Sequence, residues 1–344
     1  MPSLRSYATL LRCFIQFAAE IQLMISLRAR LVHFVSRQYF KRIGPDSDIQ
    51  ELRKSWEDLA GKLKMAPAVR TREAAIAGIE CEWLVPAGCD ESKVLLYLHG
   101  GAYLLGSTHT HRRMVSYIAK AAGVRALVPN YRLAPEDPFP AALEDAIAVY
   151  SSLLAGDSRP QDIVIAGDSA GGGLTMATLL SIRDAGQPLP SAACLLSPWL
   201  DLAGEGESTV TREKYDPWFR PQDMPEIVRR YCNPKDVKNP LVSPVYGDAH
   251  DLPPLLIQVG DHEILLSDAT RMADKISAAG GKVVLQVWPG MWHVWQYFVG
   301  QMPESASAIE QIAAFVQKEL AAPGSEIRNS NCAGNRRTCG SGSS

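Results

Sequence analysis

One serine stands in a pattern whose residue types and spacing can support nucleophilic chemistry. Ser169 has Gly167 two positions before it and Gly171 two positions after it, which gives the pattern Gly-x-Ser-x-Gly. In this pattern the serine lies on a tight turn from a strand into a helix, and larger side chains at the glycine positions would collide with the turn. The apolar stretches Ile163–Ala166 and Leu174–Ile182 on either side fit that strand and helix. The pattern therefore predicts that Ser169 is a nucleophile at the end of a buried strand.

A serine nucleophile needs a general base, and in this arrangement the base follows far downstream in the sequence. His293 follows a buried apolar stretch and a turn at Gly290, which predicts that it is this base. Five other histidines occur in helix or loop contexts, where we expect their side chains to be solvated: His33, His109, His111, His250 and His262.

The base needs an acidic partner that orients its ring, and this residue is expected between the serine and the histidine. The stretch Val259–Ile264 contains two carboxylates, Asp261 and Glu263. We favour Glu263 and keep Asp261 as the alternative. The carboxylate that is not used would cap a loop or a helix.

A second glycine-rich stretch can supply the backbone N–H groups that such a reaction needs. His99-Gly-Gly-Ala-Tyr103 directly follows the apolar run Val94–Leu98. Consecutive glycines allow N–H groups to converge on a carbonyl oxygen, where they stabilise developing negative charge. We therefore predict an oxyanion hole made of the N–H groups of Gly100, Gly101 and Ala170.

These stretches need a scaffold, and the apolar periodicity predicts which kind. Continuous apolar runs indicate strands buried on both faces at residues 94–98, 124–129, 162–166, 192–196, 255–259 and 283–287. Helical patterns occupy residues 111–122, 141–154, 172–185, 267–279 and 304–320. The alternation predicts an α/β fold with a mostly parallel central sheet and helices on both faces. Ligands of such sheets bind at the carboxyl ends of the strands, where the stretches above fall.

The remaining segments predict a cap and a tail. Residues 1–65 carry helical stripes, among them residues 46–64, and the proline-rich interval 203–235 is too long for a structureless loop. We expect both segments to form a helical cap on a catalytic domain that spans residues 66–321. Residues 322–344 have no hydrophobic period, which predicts a disordered tail.

Composition and charge argue against several classes of protein. The net charge of -2 gives no basis for nucleic-acid binding, and 47% hydrophobic residues is ordinary for a globular protein. Seven scattered cysteines without metal-ligand spacing predict neither a disulfide framework nor a zinc site, and they favour a reducing, cytoplasmic compartment. The stretch Cys13–Leu27 is too polar to span a bilayer, so we expect a helix on the protein body. Contact of this helix with a membrane surface is the less favoured alternative.

Further stretches make a family resemblance specific. The chain resembles the hormone-sensitive-lipase-type (bacterial family IV) carboxylesterases of the α/β-hydrolase fold from about residue 70 to residue 320. The resemblance rests on the two glycine-rich stretches together with Tyr131–Glu136, Phe139–Ala142, Ser197–Trp199 and Gly290–His293. In that family the acid is at the third position after the glycine of a Val-Gly motif, which falls on Glu263 here. The chain departs from the family at Ala102, where the family has a third glycine. The resemblance implies that the alanine side chain narrows the part of the pocket that holds the alcohol group of the ester.

The resemblance implies a serine carboxylesterase that hydrolyses short- to medium-chain acyl esters through a Ser-His-Glu triad and an acyl-enzyme, without a metal or a cofactor. An amide or N-acetyl hydrolase with the same triad is the alternative among enzymes. Receptors of the same fold have lost the histidine, so the presence of His293 argues against a non-catalytic receptor. A small-molecule ester is the expected partner, and a homodimer is left open.

Aromatic residues near these stretches predict a limit on acyl length. The pocket candidates are Tyr103, Trp199, Trp218, Phe219 and Trp292. Each buried CH₂ contributes up to ~0.8 kcal/mol until the chain meets a wall, and overpacking then costs roughly 1–3 kcal/mol. We therefore expect kcat/KM to be highest for acyl chains of about two to eight carbons, lengths that the family resemblance also suggests.

Overall fold

The structure, a computed structural model, describes residues 25–40, 44, 47–156 and 158–322 of the chain. Runs of aliphatic and β-branched residues form one eight-stranded sheet. Its strands are β1 Val69–Ile76, β2 Ile79–Pro86, β3 Asp90–Leu98, β4 Val124–Pro129, β5 Ile163–Asp168, β6 Ala192–Leu196, β7 Leu255–Gly260 and β8 Val283–Trp288. Their order is β1-β2-β4-β3-β5-β6-β7-β8, in which β2 is antiparallel to both of its neighbours and β3 to β8 are parallel.

Helices cover both faces of this sheet. They are α1 Leu27–Phe40, α2 Ile49–Ala60, α3 Thr108–Ala122, α4 Ala141–Ala155, α5 Ala170–Asp184, α6 Ser208–Thr211, α7 Met224–Tyr231, α8 Leu266–Ala278 and α9 Pro303–Ala321. One apolar core joins the sheet to α4, α5 and α8, and a second core joins its other face to α3 and α9. Because both faces are covered, every residue of β5 and β6 is buried. This confirms the predicted α/β fold with a mostly parallel sheet.

Local sequence signals set the start of α2 and both ends of α3. The Asp48 side chain accepts the N–H groups of the first turn of α2, and Ser107 forms a capping box at the start of α3. Gly123 ends α3 with a φ of 71°, a left-handed conformation that favours glycine. The helix predicted at residues 46–64 is therefore present, with shorter bounds.

The helix α1 has no counterpart among the predicted helices. Its apolar residues Leu27, Leu31 and Phe34 are 81%, 63% and 60% exposed, so their spacing does not mark a buried face. Residues 13–24 of the predicted N-terminal helix, and the predicted tail from residue 323 onward, lie outside the described residues. Four cysteines within the described ranges are free thiols: Cys81, Cys89, Cys194 and Cys232.

A helix that spans a membrane is long and almost entirely apolar. Within the described ranges, none of the helices combines the length and the apolar composition that a transmembrane span requires.

Candidate active site

Ser169 lies on a strained turn between β5 and α5. Its backbone adopts φ 54° and ψ −122°, a region that residues other than glycine rarely occupy. A Cβ on Gly167 would lie 2.2 Å from the carbonyl oxygen of Gly171, and a Cβ on Gly171 would lie 2.0 Å from that of Leu98. The N–H of Trp199 donates to the carbonyl oxygen of Ser169 at 2.9 Å. These close approaches explain why both flanking positions are glycine.

Three predicted residues from distant parts of the sequence form one line of hydrogen bonds. Nε2 of His293, in the loop after β8, lies 2.9 Å from Oγ of Ser169. Nδ1 of the same ring lies 2.9 Å from Oε2 of Glu263, in the loop after β7. All three side chains are buried. They meet because β5, β7 and β8 are parallel strands whose carboxyl ends share one edge of the sheet.

Further donors fix the orientation of the Glu263 carboxylate. Its Oε1 accepts a hydrogen bond from the Ser197 hydroxyl at 2.8 Å and another from the N–H of Gly260 at 2.5 Å. The Ser197 hydroxyl oxygen in turn accepts a hydrogen bond from the N–H of Val294 at 3.0 Å. Ser197 therefore connects the carboxylate to the backbone next to His293.

The alternative acid, Asp261, lies in a different environment. Its Oδ1 accepts a hydrogen bond from the N–H of Gly290 at 2.6 Å, and its side chain is 36% exposed. Asp261 therefore holds the loop that precedes His293, and the carboxylate within hydrogen-bond distance of the ring is that of Glu263.

The glycine-rich loop after β3 differs from the prediction at one position. The N–H of Gly100 donates to Oδ1 of Asp168 at 3.1 Å, so this donor is committed within the protein. A Cβ on Gly100 would lie 2.2 Å from Oδ2 of Asp168, which explains the glycine. Gly101 and Ala102 line the cavity beside Ser169. The prediction that Gly100 is an oxyanion donor is therefore corrected, and Ala102 takes its place as a candidate.

Asp168 joins the nucleophile turn to this loop. Its Oδ1 also accepts a hydrogen bond from the Tyr97 hydroxyl at 2.8 Å, and its Oδ2 lies 3.4 Å from Nε2 of His111. Burial raises the pKa of Asp168, but the His111 ring and the Tyr97 hydroxyl outweigh burial and hold this pKa below its usual range. The expectation that His111 is solvated is wrong, because its ring is buried against this carboxylate.

A cavity of about 390 Å³ lies beside Ser169 and His293. Its walls are largely apolar, and most of the lining residues belong to residues 35–63 and to the segment 203–235. Among them are Val35, Tyr39 and Phe40 of α1, Ile49, Leu52, Trp56 and Leu59 of α2, and Trp218, Phe219, Met224 and Ile227 of the segment 203–235. The helices α1 and α2 and the segment 203–235 therefore border the cavity beside Ser169.

Two of the predicted pocket rings line this cavity. Trp218 and Phe219 both contribute to its wall. Each packs edge-on against the His293 imidazole, with ring centroids 5.4 Å and 4.7 Å away, respectively. The His293 ring is thus flanked by two aromatic rings as well as by its hydrogen-bond partners.

The other three candidate rings do not line the cavity. Tyr103 stacks on Tyr231 with centroids 3.8 Å apart, and Trp199 belongs to the same apolar core. Trp292 is fully buried and packs edge-on against His33 at 5.2 Å. These three predictions are wrong, because each ring is directed into the packed interior.

Known proteins provide an independent comparison. The sequence pattern of a family described as the α/β-hydrolase fold matches residues 95–297. An esterase from the bacterial hormone-sensitive lipase family superposes with a TM-score of 0.83 at 41% identity, covering 87% of this chain and 100% of the other. This chain belongs to that family of esterases.

Further relatives of this chain are named for the same class of reaction. The chain is 46% identical over 236 residues to an acetyl-hydrolase of Streptomyces hygroscopicus, a match covering 69% of this chain and 79% of the relative. It is 34% identical over 266 residues to an esterase of Acinetobacter venetianus, covering 77% and 87%. EstE5, in a crystal soaked with p-nitrophenyl butyrate, matches with a TM-score of 0.82 at 40% identity, covering 86% and 100%. The protein is a carboxylic-ester hydrolase.

Sequence reasoning missed three polar residues of the esterase site. Ser197 occurs in a stretch that carries the family resemblance, but its bond to Glu263 depends on packing between β6 and β7. Asp168 occurs inside the serine pattern, where no spacing rule assigns it a partner. Asp216 accepts the N–H of Ile264, next to Glu263, at 2.9 Å, and no pattern in the segment 203–235 indicates this contact.

Proposed function

We propose that this esterase hydrolyses short- to medium-chain acyl esters by two-step acyl transfer through Ser169, His293 and Glu263. The observation that carries the proposal is the continuous line of hydrogen bonds from Ser169 Oγ through both ring nitrogens of His293 to Glu263. Membership of the esterase family supports the reaction class. The roles below follow from this geometry.

In the first step, Ser169 attacks the carbonyl carbon of the ester while Nε2 of His293 takes the hydroxyl proton. Glu263 accepts a hydrogen bond from Nδ1–H, which keeps Nε2 unprotonated in the resting ring and stabilises the imidazolium that forms. The imidazolium then protonates the leaving alcohol oxygen, and the acyl group remains on Ser169. General base catalysis of this kind contributes roughly 10²–10⁴-fold to the rate.

In the second step, water replaces the alcohol. His293 takes a proton from the water, whose oxygen attacks the acyl carbon. Collapse of the second tetrahedral intermediate breaks the bond to Ser169 Oγ, which regains a proton from the imidazolium. The carboxylic acid leaves, and the site returns to its starting state.

The oxyanion of both intermediates would be held by the N–H groups of Gly101, Ala102 and Ala170. Gly101 and Ala102 border the cavity next to Ser169. Ala170 begins α5, and the first N–H groups of a helix have no intrahelical acceptors and lie at its positive end. One such donor contributes roughly 10²–10³-fold to kcat.

The preferred acyl length follows from the cavity. Its volume is about 390 Å³, and α1, α2 and the rings of Trp218 and Phe219 contribute to its walls. Each methylene that enters contributes up to ~0.8 kcal/mol until packed side chains must move. One relative is named an acetyl-hydrolase, and the crystal of another, EstE5, was soaked with p-nitrophenyl butyrate. Both observations support short acyl groups. We propose an optimum at about two to eight carbons.

Removal of acetyl groups from amides is a second candidate. It is favoured by the similarity to the Streptomyces hygroscopicus protein, which is named an acetyl-hydrolase without reference to an ester. The same residues would serve, because the His293 imidazolium can protonate a leaving nitrogen as well as an oxygen.

The test compares p-nitrophenyl esters from acetate to palmitate with p-nitroacetanilide as the amide. We expect Ser169→Ala to remove ester hydrolysis while the far-ultraviolet circular dichroism stays unchanged, and the exposed-serine control Ser92→Ala to behave as the parent. Turnover by Ser169→Ala above a few per cent of the parent would refute the nucleophile. A maximum at laurate or longer would refute the chain-length proposal, and faster cleavage of the anilide than of the acetate ester would favour the second candidate.

A further inference from the structure

A buried carboxylate of the inserted segment bridges the cap and the catalytic acid loop. Oδ1 of Asp216 accepts hydrogen bonds from the N–H groups of Trp218 at 2.8 Å and Phe219 at 3.1 Å. Its Oδ2 accepts one from the N–H of Ile264 at 2.9 Å. Ile264 directly follows Glu263 in the chain. One carboxylate therefore ties the turn that carries the two cavity rings to the loop that carries the acid.

The turn formed by residues 215–219, here called the latch segment, is also fastened to the helix α1. Nε2 of His33 lies 3.0 Å from the carbonyl oxygen of Tyr215. The ring of Phe40 stacks on Trp218 with centroids 4.4 Å apart. The latch segment thus lies between α1 on one side and the acid loop on the other.

The latch segment places both of its rings against the base. The centroids of Phe219 and Trp218 lie 4.7 Å and 5.4 Å from that of His293, and both rings belong to the cavity wall. A shift of the segment would open a path for water to the imidazole and allow the ring to rotate away from Ser169. A misplacement of about 1 Å in a reacting geometry can lower the rate by about 10²-fold.

We propose that Asp216 is a positioning residue for His293, acting through the latch segment and the acid loop; this inference rests on the triad proposed above. A carboxylate accepts hydrogen bonds from three N–H groups without presenting a donor of its own, whereas an amide would direct NH₂ toward one of them. Burial raises the pKa of Asp216 to about 6, and His293 and the three N–H donors oppose the rise. The three N–H groups stabilise the ionised form of this carboxylate, which accepts hydrogen bonds and donates none.

Three substitutions separate the contacts of this side chain. Asp216→Ala removes all of them. Asp216→Ser leaves a hydroxyl that can accept from the N–H groups within the latch segment, as serine does in turns, but it is too short to reach Ile264. Asp216→Asn keeps the shape and loses one acceptor. The matched control is Asp90→Ala, because Oδ1 of the exposed Asp90 accepts the N–H of Ser92 in a comparable turn at the start of β3.

The readouts are kcat and KM for p-nitrophenyl butyrate, together with exchange of the low-field proton resonance of His293 Nδ1–H with water. For Asp216→Ala and Asp216→Ser we expect kcat to fall about 10- to 100-fold, KM to change less than about threefold, and the Nδ1 proton to exchange faster. Asp216→Asn should fall between these variants and the parent. Asp90→Ala should match the parent in all three quantities.

The decisive variant is Asp216→Ser, because it keeps the turn and should fold even where Asp216→Ala does not. Parent-like kcat together with parent-like proton exchange in this variant would overturn the proposal. Parent activity that survives Ser169→Ala would overturn the triad instead. The exchange measurement needs no substrate and tests the role of Asp216 separately from the reaction.

Discussion

Removal of the Ser197 hydroxyl tests whether the proposed acid needs a fixed orientation. In Ser197→Ala, Oε1 of Glu263 loses a donor at 2.8 Å, and the N–H of Val294 loses its acceptor at 3.0 Å. Both partners are buried, so water does not replace the missing contacts without a further rearrangement. The variant therefore perturbs the acid and the backbone beside the base at once.

The size of the effect follows from these two contacts. A hydrogen bond to a charged group contributes about 1.5–3 kcal/mol, and an unpaired buried N–H costs about 1–3 kcal/mol. Glu263 keeps its bonds to Gly260 and His293, so we expect a loss in the lower part of the combined range, about 2.5–4 kcal/mol of the free energy of unfolding. A less constrained acid should lower kcat roughly 10- to 100-fold and leave KM nearly unchanged.

Urea unfolding measures the stability, and initial rates with p-nitrophenyl butyrate give kcat and KM. Ser116 is a matched control in α3, because its equally buried hydroxyl donates to the carbonyl oxygen of Arg113 at 2.7 Å and accepts the N–H of Ala66 at 2.9 Å. Ser116→Ala should lose about 1–3 kcal/mol with kcat unchanged. Parent-like kcat in Ser197→Ala, or an equal fall of kcat in Ser116→Ala, would refute the reasoning.

Gly171→Ala should abolish hydrolysis and reduce the yield of folded protein, because its Cβ would lie 2.0 Å from the carbonyl oxygen of Leu98; normal turnover by this variant would contradict the geometry of the turn. Glu263→Gln should lower kcat by roughly 10²–10⁴-fold, far more than Asp261→Asn does. Equal losses of kcat in the two variants would contradict the assignment of the acid role to Glu263. Burial raises the pKa of the Asp268 carboxyl to about 8. The unfolded chain releases this proton near pH ~4, whereas the folded chain keeps it. This carboxyl therefore lowers the free energy of unfolding as the pH rises from about 4 to 8. Asp268→Asn should therefore reduce the fall in Tm between about pH 5 and pH 9, and a parent-like slope would count against that assignment.

The sheet could be predicted from the sequence because strands buried on both faces leave continuous apolar runs. The run at residues 255–259 became β7, Leu255–Gly260, and the run at residues 192–196 became β6 with the predicted bounds. The run at residues 283–287 also formed a strand, β8, but the prediction that it is buried on both faces is wrong, because β8 is an edge strand in which Val284 and Val287 are 45% and 43% exposed. The loops that carry Ser169, Glu263 and His293 meet because each follows a parallel strand of the sheet.

Other features depend on contacts that no local pattern contains. The N–H of Gly100 is directed at Asp168, 68 positions away in the chain, so the glycine alone does not reveal which N–H groups remain available. His111 shares the buried face of α3 with Met114 and Val115, but the sequence does not show the contacts with Asp168 and Thr110 that make the burial of a polar ring favourable. Whether Trp199 faces the cavity or the core is decided by side-chain packing, which the order of residue types does not specify.

The hydrogen bond between Gly100 and Asp168 keeps two parts of the site aligned while the sheet fluctuates. Gly101 follows Gly100 and Ser169 follows Asp168, so this bond joins the backbone of the proposed oxyanion donors to the residue that precedes the proposed nucleophile. A displacement of one relative to the other would have to break a buried bond to a charged group, which is among the stronger hydrogen bonds in proteins.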